Sequence, residues 1–252
     1  MASIFQGNQV SYIGAHRGAS AYCPENTMSS FKKALELKAD TLELDVQLTK
    51  DGEVIVFHDF YLNKSTDGQG FVFEHTLAEI QRLDAGSWFA KEFAGEKVPT
   101  LEEVLTWSRD KVWLSIELKQ FEHLHEPLAK KVVQLIEHYQ MEDQVQVMSF
   151  NHASLVKIRN YSKRMMTNVI CGARIVNPIQ YLRSIQAQVL NTPIIHLSPD
   201  LVKELHHEGF YVHASMSDDI NVWKAVLEWG IDAMNTNIPD VMIAERSEFL
   251  EK

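Results

Sequence analysis

Short apolar runs of strand length alternate with stretches of helical period along most of the chain. Tyr12-Ile13-Gly14-Ala15 reads as a buried strand that runs into the polar, glycine-containing loop His16-Arg17-Gly18-Ala19-Ser20. Pro24-Glu25-Asn26-Thr27 opens a helix in which Phe31, Ala34, Leu35 and Leu37 recur, with Asn26 or Thr27 as N-cap. Thr41 to Val46 is the second strand. Asp51-Gly52, lying between Thr41 to Leu48 and Glu53 to Phe57, signals a hairpin, and its returning strand, Val54 to Phe57, ends on His58-Asp59. From Phe60 to Pro99 no strand alternates with a helix. Leu77 to Leu83 reads there as a short helix, and Trp88, Phe89 and Phe93 as anchors of an ordered excursion.

Beyond the excursion the alternation resumes. Thr100-Leu101-Glu102-Glu103 is a capping box opening a helix to about Arg109, and Lys111 to Lys119 is a strand. Helices follow over Pro127 to Tyr139, Ala153 to Tyr161, Ile179 to Ala187, Pro199 to Glu208, Ile220 to Trp229 and from Pro239 onward. Between them lie strands at Val145 to Ser149, Met166 to Cys171, within Val189 to Leu197, at Tyr211 to Met216 and at Ala233 to Thr236. Roughly eight strand–helix units in this length predict a closed parallel (β/α)8 barrel of the TIM type, with its active site at the C-terminal strand ends. The chain is expected to be one domain over residues 1–252, interrupted by a small insertion at about 60–99 after the second strand unit.

Composition narrows the class. With 252 residues, 45% hydrophobic and 23% charged, the chain has ordinary globular usage and can bury a large core. Its net charge of -10 argues against a broad nucleic-acid surface, so phosphate recognition would be local. Cys23 and Cys171 make neither a disulfide framework nor a zinc site, which fits a reducing compartment. Met1 to Val10 lacks the basic and apolar regions of a secretory signal, and no run has the length of a membrane span. The expectation is a cytoplasmic protein.

The stretch Thr41-Leu42-Glu43-Leu44-Asp45-Val46 carries the chemistry. On a strand, Thr41, Glu43 and Asp45 share one face and Leu42, Leu44 and Val46 the other. On a helix the two acids would point roughly 200° apart, so only the strand makes them converge. The hexapeptide alone also fits a half-exposed edge strand. The pattern recurs at Ser115, Glu117 and Lys119. In a closed barrel, His16, Glu43, Asp45, His58, Glu117 and Lys119 all fall near the C-terminal ends of the first strand units. Three oxygen ligands without cysteine suit a hard cation, Mg2+ or Ca2+. Arg17 and Lys119 can neutralise an anion beside it, and His16 and His58 can move protons in opposite senses. The remaining histidines, His75, His123, His125, His138, His152, His196, His206, His207 and His213, read as loop or packing residues. Trp107, Trp113, Trp223 and Trp229 read as core or helix packing.

These residues carry a family resemblance. Gly14-Ala15-His16-Arg17-Gly18, Pro24-Glu25-Asn26-Thr27, Glu43-Leu44-Asp45-Val46, His58-Asp59 and Leu62-Asn63-Lys64-Ser65-Thr66-Asp67-Gly68 resemble the N-terminal signature of the glycerophosphodiester phosphodiesterases. Leu83-Asp84-Ala85-Gly86-Ser87-Trp88-Phe89, Val98 to Leu105 and Ile116-Glu117-Leu118-Lys119 continue it, so the match is dense from about residue 13 to 119. The resemblance implies a phospholipase-C-like phosphodiesterase barrel with the excursion as the family's insertion. It implies that Glu43, Asp45 and Glu117 hold one divalent cation, that His16 and His58 are the acid/base pair, and that Arg17 and Lys119 contact phosphate. The implied reaction hydrolyses small glycerophosphodiesters such as glycerophosphocholine or glycerophosphoethanolamine to glycerol 3-phosphate and an alcohol. His58 is favoured as the acid. The attacking group, water or the glycerol's own hydroxyl, and a homodimer are left open.

Departures lie toward the C-terminus. Where the family commonly has Trp-Thr-Val-Asn, this chain has Ser215-Met216-Ser217-Asp218, and where it has Thr-Asp before Pro-Asp, this chain has Thr236-Asn237-Ile238-Pro239-Asp240. These bear on substrate choice more than on the reaction. Two other readings remain: a Schiff-base aldolase using Lys119, and a phosphodiester-binding barrel that has lost turnover.

Overall fold

The computed structural model describes residues 11–120 and 127–251; Met1 to Val10, His123 and His125 lie outside the described residues. Apolar strands and amphipathic helices follow in the expected order. The first part comprises β1 (Tyr12–Ala15), α1 (Met28–Glu36), β2 (Thr41–Leu48), β3 (Val54–Val56), α2 (Leu77–Ile80), α3 (Leu101–Ser108) and β4 (Trp113–Leu118). Then come α4 (Leu128–His138), β5 (Val145–Ser149), α5 (His152–Tyr161), β6 (Met166–Ile170) and α6 (Pro178–Ser184). The chain continues with β7 (Val189–Asn191), α7 (Pro199–His207), β8 (Tyr211–Met216), α8 (Ile220–Trp229), β9 (Ala233–Thr236) and α9 (Pro239–Leu250).

Eight parallel strands pair in the order β1, β9, β8, β7, β6, β5, β4, β2, and β2 returns to β1 through Gly14 with Thr41 and Ala15 with Leu42, closing the barrel. β3 is the exception, an antiparallel partner of the C-terminal end of β2 reached through the Asp51-Gly52 turn. Closure buries both faces of β2, which overturns the edge-strand alternative for Thr41 to Val46: all eight residues of β2 are buried. Leu42, Leu44, Val46 and Leu48 pack outward against Phe31, Ala34, Leu101 and Val104 of α1 and α3. Across the barrel the helices are held by residues such as Trp223, which is fully buried and donates its indole N–H to the Met242 carbonyl. Truncating such an aromatic typically costs about 3–5 kcal/mol, so helix packing fixes the strand ring and through it the barrel mouth.

The barrel interior is layered by polarity. Tyr12, Trp113, Met166, Val189, Tyr211 and Ala233 plug the N-terminal end. Above them Ser115, Gln146, Asn168, His213 and Asn235 form a buried, uncharged polar tier, in which burial pushes the His213 pKa down to about 4. On the β2 side that tier borders the charged groups directly, since Glu43 lies beside Ser115, with Asp45 and Glu117 one step nearer the C-terminal strand ends. Among the described residues no helix is long and apolar enough to cross a membrane.

Two local readings are narrowed and one is corrected. Thr27, not Asn26, caps α1, accepting from the Ser30 N–H at 3.3 Å, which leaves the Asn26 side chain free for other work. β7 stops at Asn191 because Pro193 has no N–H to give the sheet, and Ile194–His196 form a 3-10 turn instead. Between β3 and α3 the excursion holds α2 and three 3-10 turns around Ile55, Phe57, Leu62, Val72, Ile80, Ala85 and Val98. Aliphatic residues dominate that small core, so the expected aromatic anchors are corrected: Trp88 is 44% exposed, and Phe89 meets Phe93 edge-on at 5.6 Å near the surface.

The loop after β1 needs one glycine. Gly18 sits at φ 81°, and a Cβ there would lie 2.3 Å from Ser30 Oγ and 2.7 Å from the Ser30 carbonyl carbon. Gly209 has the same φ with open space around it. Gly18→Ala should therefore destabilise by about 1–3 kcal/mol, and clearly more than Gly209→Ala, in denaturant unfolding.

Candidate active site

Strand register brings the acids together. Asp45 of β2 sits opposite Glu117 of β4, and Glu43 opposite Ser115, so all three carboxylates point into the same end of the barrel. One oxygen from each of Glu43, Asp45 and Glu117 lies within 4.8 Å of the others, and Glu43 and Asp45 are each 1% exposed. Around them His16, Arg17, Glu43, His58, Glu117 and Lys119 line a cavity of about 260 Å³, with Asp45 just behind. A larger hollow of about 800 Å³ lies on the outer flank between α6 and α7, but Arg174, Arg183, Glu204 and Glu208 give it mixed charge and no paired histidines.

The surrounding groups are tied to the acids one by one. Arg17, in the left-handed region at φ 56°, turns its backbone N–H onto Glu43 Oε2 at 2.9 Å. Its guanidinium reaches Glu25 at 2.9 Å and Asp45 at 3.4 Å. Lys119 Nζ lies 2.6 Å from Glu117 and 3.4 Å from Asp45. Asn26 Nδ2 donates to Asp45 Oδ2 at 2.9 Å, while Asn26 Oδ1 accepts from the Asp45 N–H at 3.3 Å. Gln47, two residues on, uses Nε2 to hold the carbonyls of Phe57, His58 and Asp59, which fixes the loop carrying His58.

Charge balance explains the titration of the cluster. Burial, followed by Asp45 and Glu117, drives the Glu43 carboxyl well above its usual range. Burial and Asp45 push Glu117 up to about 7 against the pull of Lys119. Burial also works to raise Asp45, but Lys119, His58, Arg17 and the Asn26 hydrogen bond together hold it low. Burial opposes the charge on Lys119, yet Asp45 and Glu117 outweigh it and raise its pKa. A lysine held charged in this way is the opposite of a Schiff-base nucleophile. Without a cation the trio thus retains protons, and its all-oxygen donor set fits a hard divalent ion that would replace them. A second convergence, Glu25, His58 and Asp59, already has Arg17 and Lys64 paired with its two carboxylates.

Both histidines are held below the usual imidazole range, His16 by burial and then Arg17, His58 by burial and also by Lys119 and Arg17. His16 Nδ1 lies 2.8 Å from Asn237 Oδ1, and His58 Nδ1 lies 3.3 Å from Asp59 Oδ1. The far wall is uncharged: Met148, Phe150, Ile170, Asn191, Ser215, Met216 and Asn235. Phe150 lies 5.8 Å from Lys119 Nζ and is 59% exposed. Asn26, Glu25, Gln47, Met148, Phe150, Ile170, Asn191 and Asn235 were not singled out as site residues by the sequence, whereas Ser215, Met216 and Asn237 stood there as departures bearing on substrate choice. Glu25 and Asn26 stood next to a helix start and carried a capping or solvated explanation there, and Gln47 carries its own strand-face periodicity but no reactive group.

Residues 16–241 match the model of the glycerophosphoryl diester phosphodiesterase family. A glycerophosphodiester phosphodiesterase of Caldanaerobacter subterraneus subsp. tengcongensis is 36% identical over 91% of this chain and 95% of its own. The chain belongs to the glycerophosphoryl diester phosphodiesterase family. A glycerophosphodiester phosphodiesterase of Bacillus subtilis is 34% identical over 90% of this chain and 83% of its own. Among solved structures, an Oleispira antarctica phosphodiesterase in complex with the product sn-glycerol-3-phosphate superimposes with a TM-score of 0.89 at 28% identity, covering 94% of this chain and 97% of that one. A glycerophosphodiester phosphodiesterase from Agrobacterium tumefaciens gives 0.83 at 27% identity over 93% and 99%.

Because Glu43 and Glu117 have raised pKa values, the cation-free folded protein carries protons that the unfolded chain has lost between about pH 4.5 and 7. Their contribution to stability therefore falls as pH rises through that window. Added Ca2+ or Mg2+ should raise the unfolding midpoint more at about pH 8 than at about pH 5.5, and Glu117→Gln should shrink the difference. Equal shifts at both pH values would contradict the proposed ligand role of the trio.

Proposed function

We propose that this protein is a metal-dependent glycerophosphodiesterase, one catalytic domain that hydrolyses small glycerophosphodiesters such as glycerophosphocholine and glycerophosphoethanolamine to glycerol 3-phosphate and the alcohol. The reading is carried by the convergence of three buried carboxylates with two histidines and two cations on one cavity. Glu43, Asp45 and Glu117 hold one divalent cation, Mg2+ or Ca2+. When bound, that cation supplies positive charge to a phosphoryl oxygen.

The chain's own residues do the rest. Arg17 and Lys119 flank the carboxylates and place their charge where the other phosphoryl oxygens lie. His16 rests neutral and takes the proton of the attacking group. His58 lines the same cavity and gives a proton to the departing alkoxide, with Asp45 and then Asp59 favouring its charged form. We assign the protein to the cytoplasm on the strength of its two free cysteines, Cys23 and Cys171.

The test is release of glycerol 3-phosphate from glycerophosphocholine in the presence of Mg2+ or Ca2+. Chelator should abolish it, and His16→Ala should lower kcat by about 10²–10⁴. Glu43→Gln should leave a folded barrel with weak cation binding and little turnover. Robust turnover in chelator, or a fully active Glu43→Gln protein, refutes the reading, and tight binding of the diester without turnover would indicate a barrel that only binds.

A further inference from the structure

We infer that Asn237 and Asp218 form a positioning pair that dictates which nitrogen of His16 faces the cavity. The three residues follow β8, β9 and β1, which are neighbours in the strand ring. The inference rests on the proposed role of His16 as proton acceptor. Asp218 Oδ1 accepts from the Asn237 backbone N–H at 2.7 Å and from Thr236 Oγ1 at 2.7 Å, and its Oδ2 accepts from Asn237 Nδ2 at 2.6 Å. A carboxylate has no hydrogen to give, so only the NH2 edge of the Asn237 amide can face it. The amide oxygen must then face the other way, where it lies 2.7 Å from the donating Ser20 Oγ and 2.8 Å from His16 Nδ1.

An amide oxygen also has no hydrogen to give. Nδ1 of His16 therefore carries the proton, and the lone pair of the neutral ring is on Nε2, the nitrogen available to the cavity. The backbone keeps the parts in place: the His16 N–H donates to Thr236 O at 2.9 Å and the Ala21 N–H to Asn237 O at 3.2 Å. Two departures from the family pattern, at positions 218 and 237, thus fall on the two ends of one hydrogen bond. An acid stands where the amide is common and an amide where the acid is common, so donor and acceptor have traded places.

The pairing makes a directional claim about variants. In Asp218→Asn the new amide must keep its oxygen toward the Asn237 backbone N–H, which turns its NH2 toward the NH2 of Asn237. Asn237 relieves that clash by flipping, presents its NH2 to His16 and drives the ring to the Nε2–H tautomer. Asn237→Asp places two carboxylates against each other. The double substitution Asp218→Asn with Asn237→Asp restores one donor and one acceptor on the same bond, and returns a pure acceptor to His16 Nδ1.

Nitrogen-15 NMR of histidine-labelled protein, with the His16 signals assigned by their loss in His16→Gln, reads the tautomer without any turnover. The wild type should show Nδ1–H and Asp218→Asn the Nε2–H form. With glycerophosphocholine, each single substitution should lower kcat about 10–100-fold with KM within about threefold, and the double substitution should recover at least about tenfold of that loss. Nε2–H in the wild type overturns the inference, as does a double variant with a normal unfolding midpoint that recovers nothing, or a loss confined to KM. A wild type that shows Nδ1–H but no turnover would refute the proposed function and leave the positioning pair standing.

Discussion

Three carboxylates held within 4.8 Å of one another inside a barrel are the constraint on which this molecule turns. At an effective dielectric constant of about 20, two such charges repel by about 3 kcal/mol, so three ionised acids would cost about 10 kcal/mol. That rivals the whole stability of an ordinary domain, and a single hydrogen bond offsets only about 1 kcal/mol of it. The site therefore recruits everything nearby: the guanidinium of Arg17, the ammonium of Lys119, the amide of Asn26 and the backbone N–H of Arg17. Even these leave protons on Glu43 and Glu117. Those two protons mark a shortfall of positive charge around the cluster that the polypeptide does not itself supply.

The fold makes such a cluster tolerable by keeping it at one end. Tyr12, Trp113, Met166, Val189, Tyr211 and Ala233 close the N-terminal end of the strand ring, and the buried neutral groups Ser115, Gln146, Asn168 and His213 lie between that end and Asp45 and Glu117. His213 illustrates the rule, since a histidine in this tier stays neutral because burial removes its proton. The same residue type one tier higher, at His16 or His58, borders the cavity and meets the fields of Asp45, Arg17 and Lys119.

Much of this was legible in the sequence because it is periodic. Alternation in Thr41 to Val46 put Glu43 and Asp45 on one face, the recurrence at Ser115 to Lys119 repeated it, and capping residues such as Thr100 marked where helices begin. Pairing was not legible, because it depends on register. That Asp45 lies beside Glu117 follows from how β2 and β4 slide, which neither strand records alone. Asn26 shows the other limit. Beside a helix start it has an adequate local explanation as a cap, and only the left-handed turn at φ 56° reveals that it meets Asp45, 19 residues further on. The aromatic residues of the excursion misled for a related reason: size suggests an anchor, but the loop closes around small aliphatic contacts and leaves Trp88 half exposed.

The barrel mouth is also divided by strand. Among the described residues, every charged group lining the cavity comes from the first half of the chain, on or just after β1 to β4, whereas β5 to β9 and the residues just after them contribute Met148, Phe150, Ile170, Asn191, Ser215, Met216 and Asn235. A phosphodiester bound there must turn its anionic centre toward the first half, since the second offers it no cation. What remains of the ligand then rests on thioethers, an exposed phenyl ring and neutral amides, which discriminate by shape and by a few hydrogen bonds rather than by charge. Contacts of that kind separate similar alcohols by about 1–3 kcal/mol for each group gained or lost. The charged groups of the cavity are thus mutually locked, while the uncharged wall is one in which single side chains can change without disturbing the acids. Ser215 shows how: its N–H and hydroxyl are both anchored on Asn191, at 3.1 and 2.9 Å, and neither touches the carboxylate cluster.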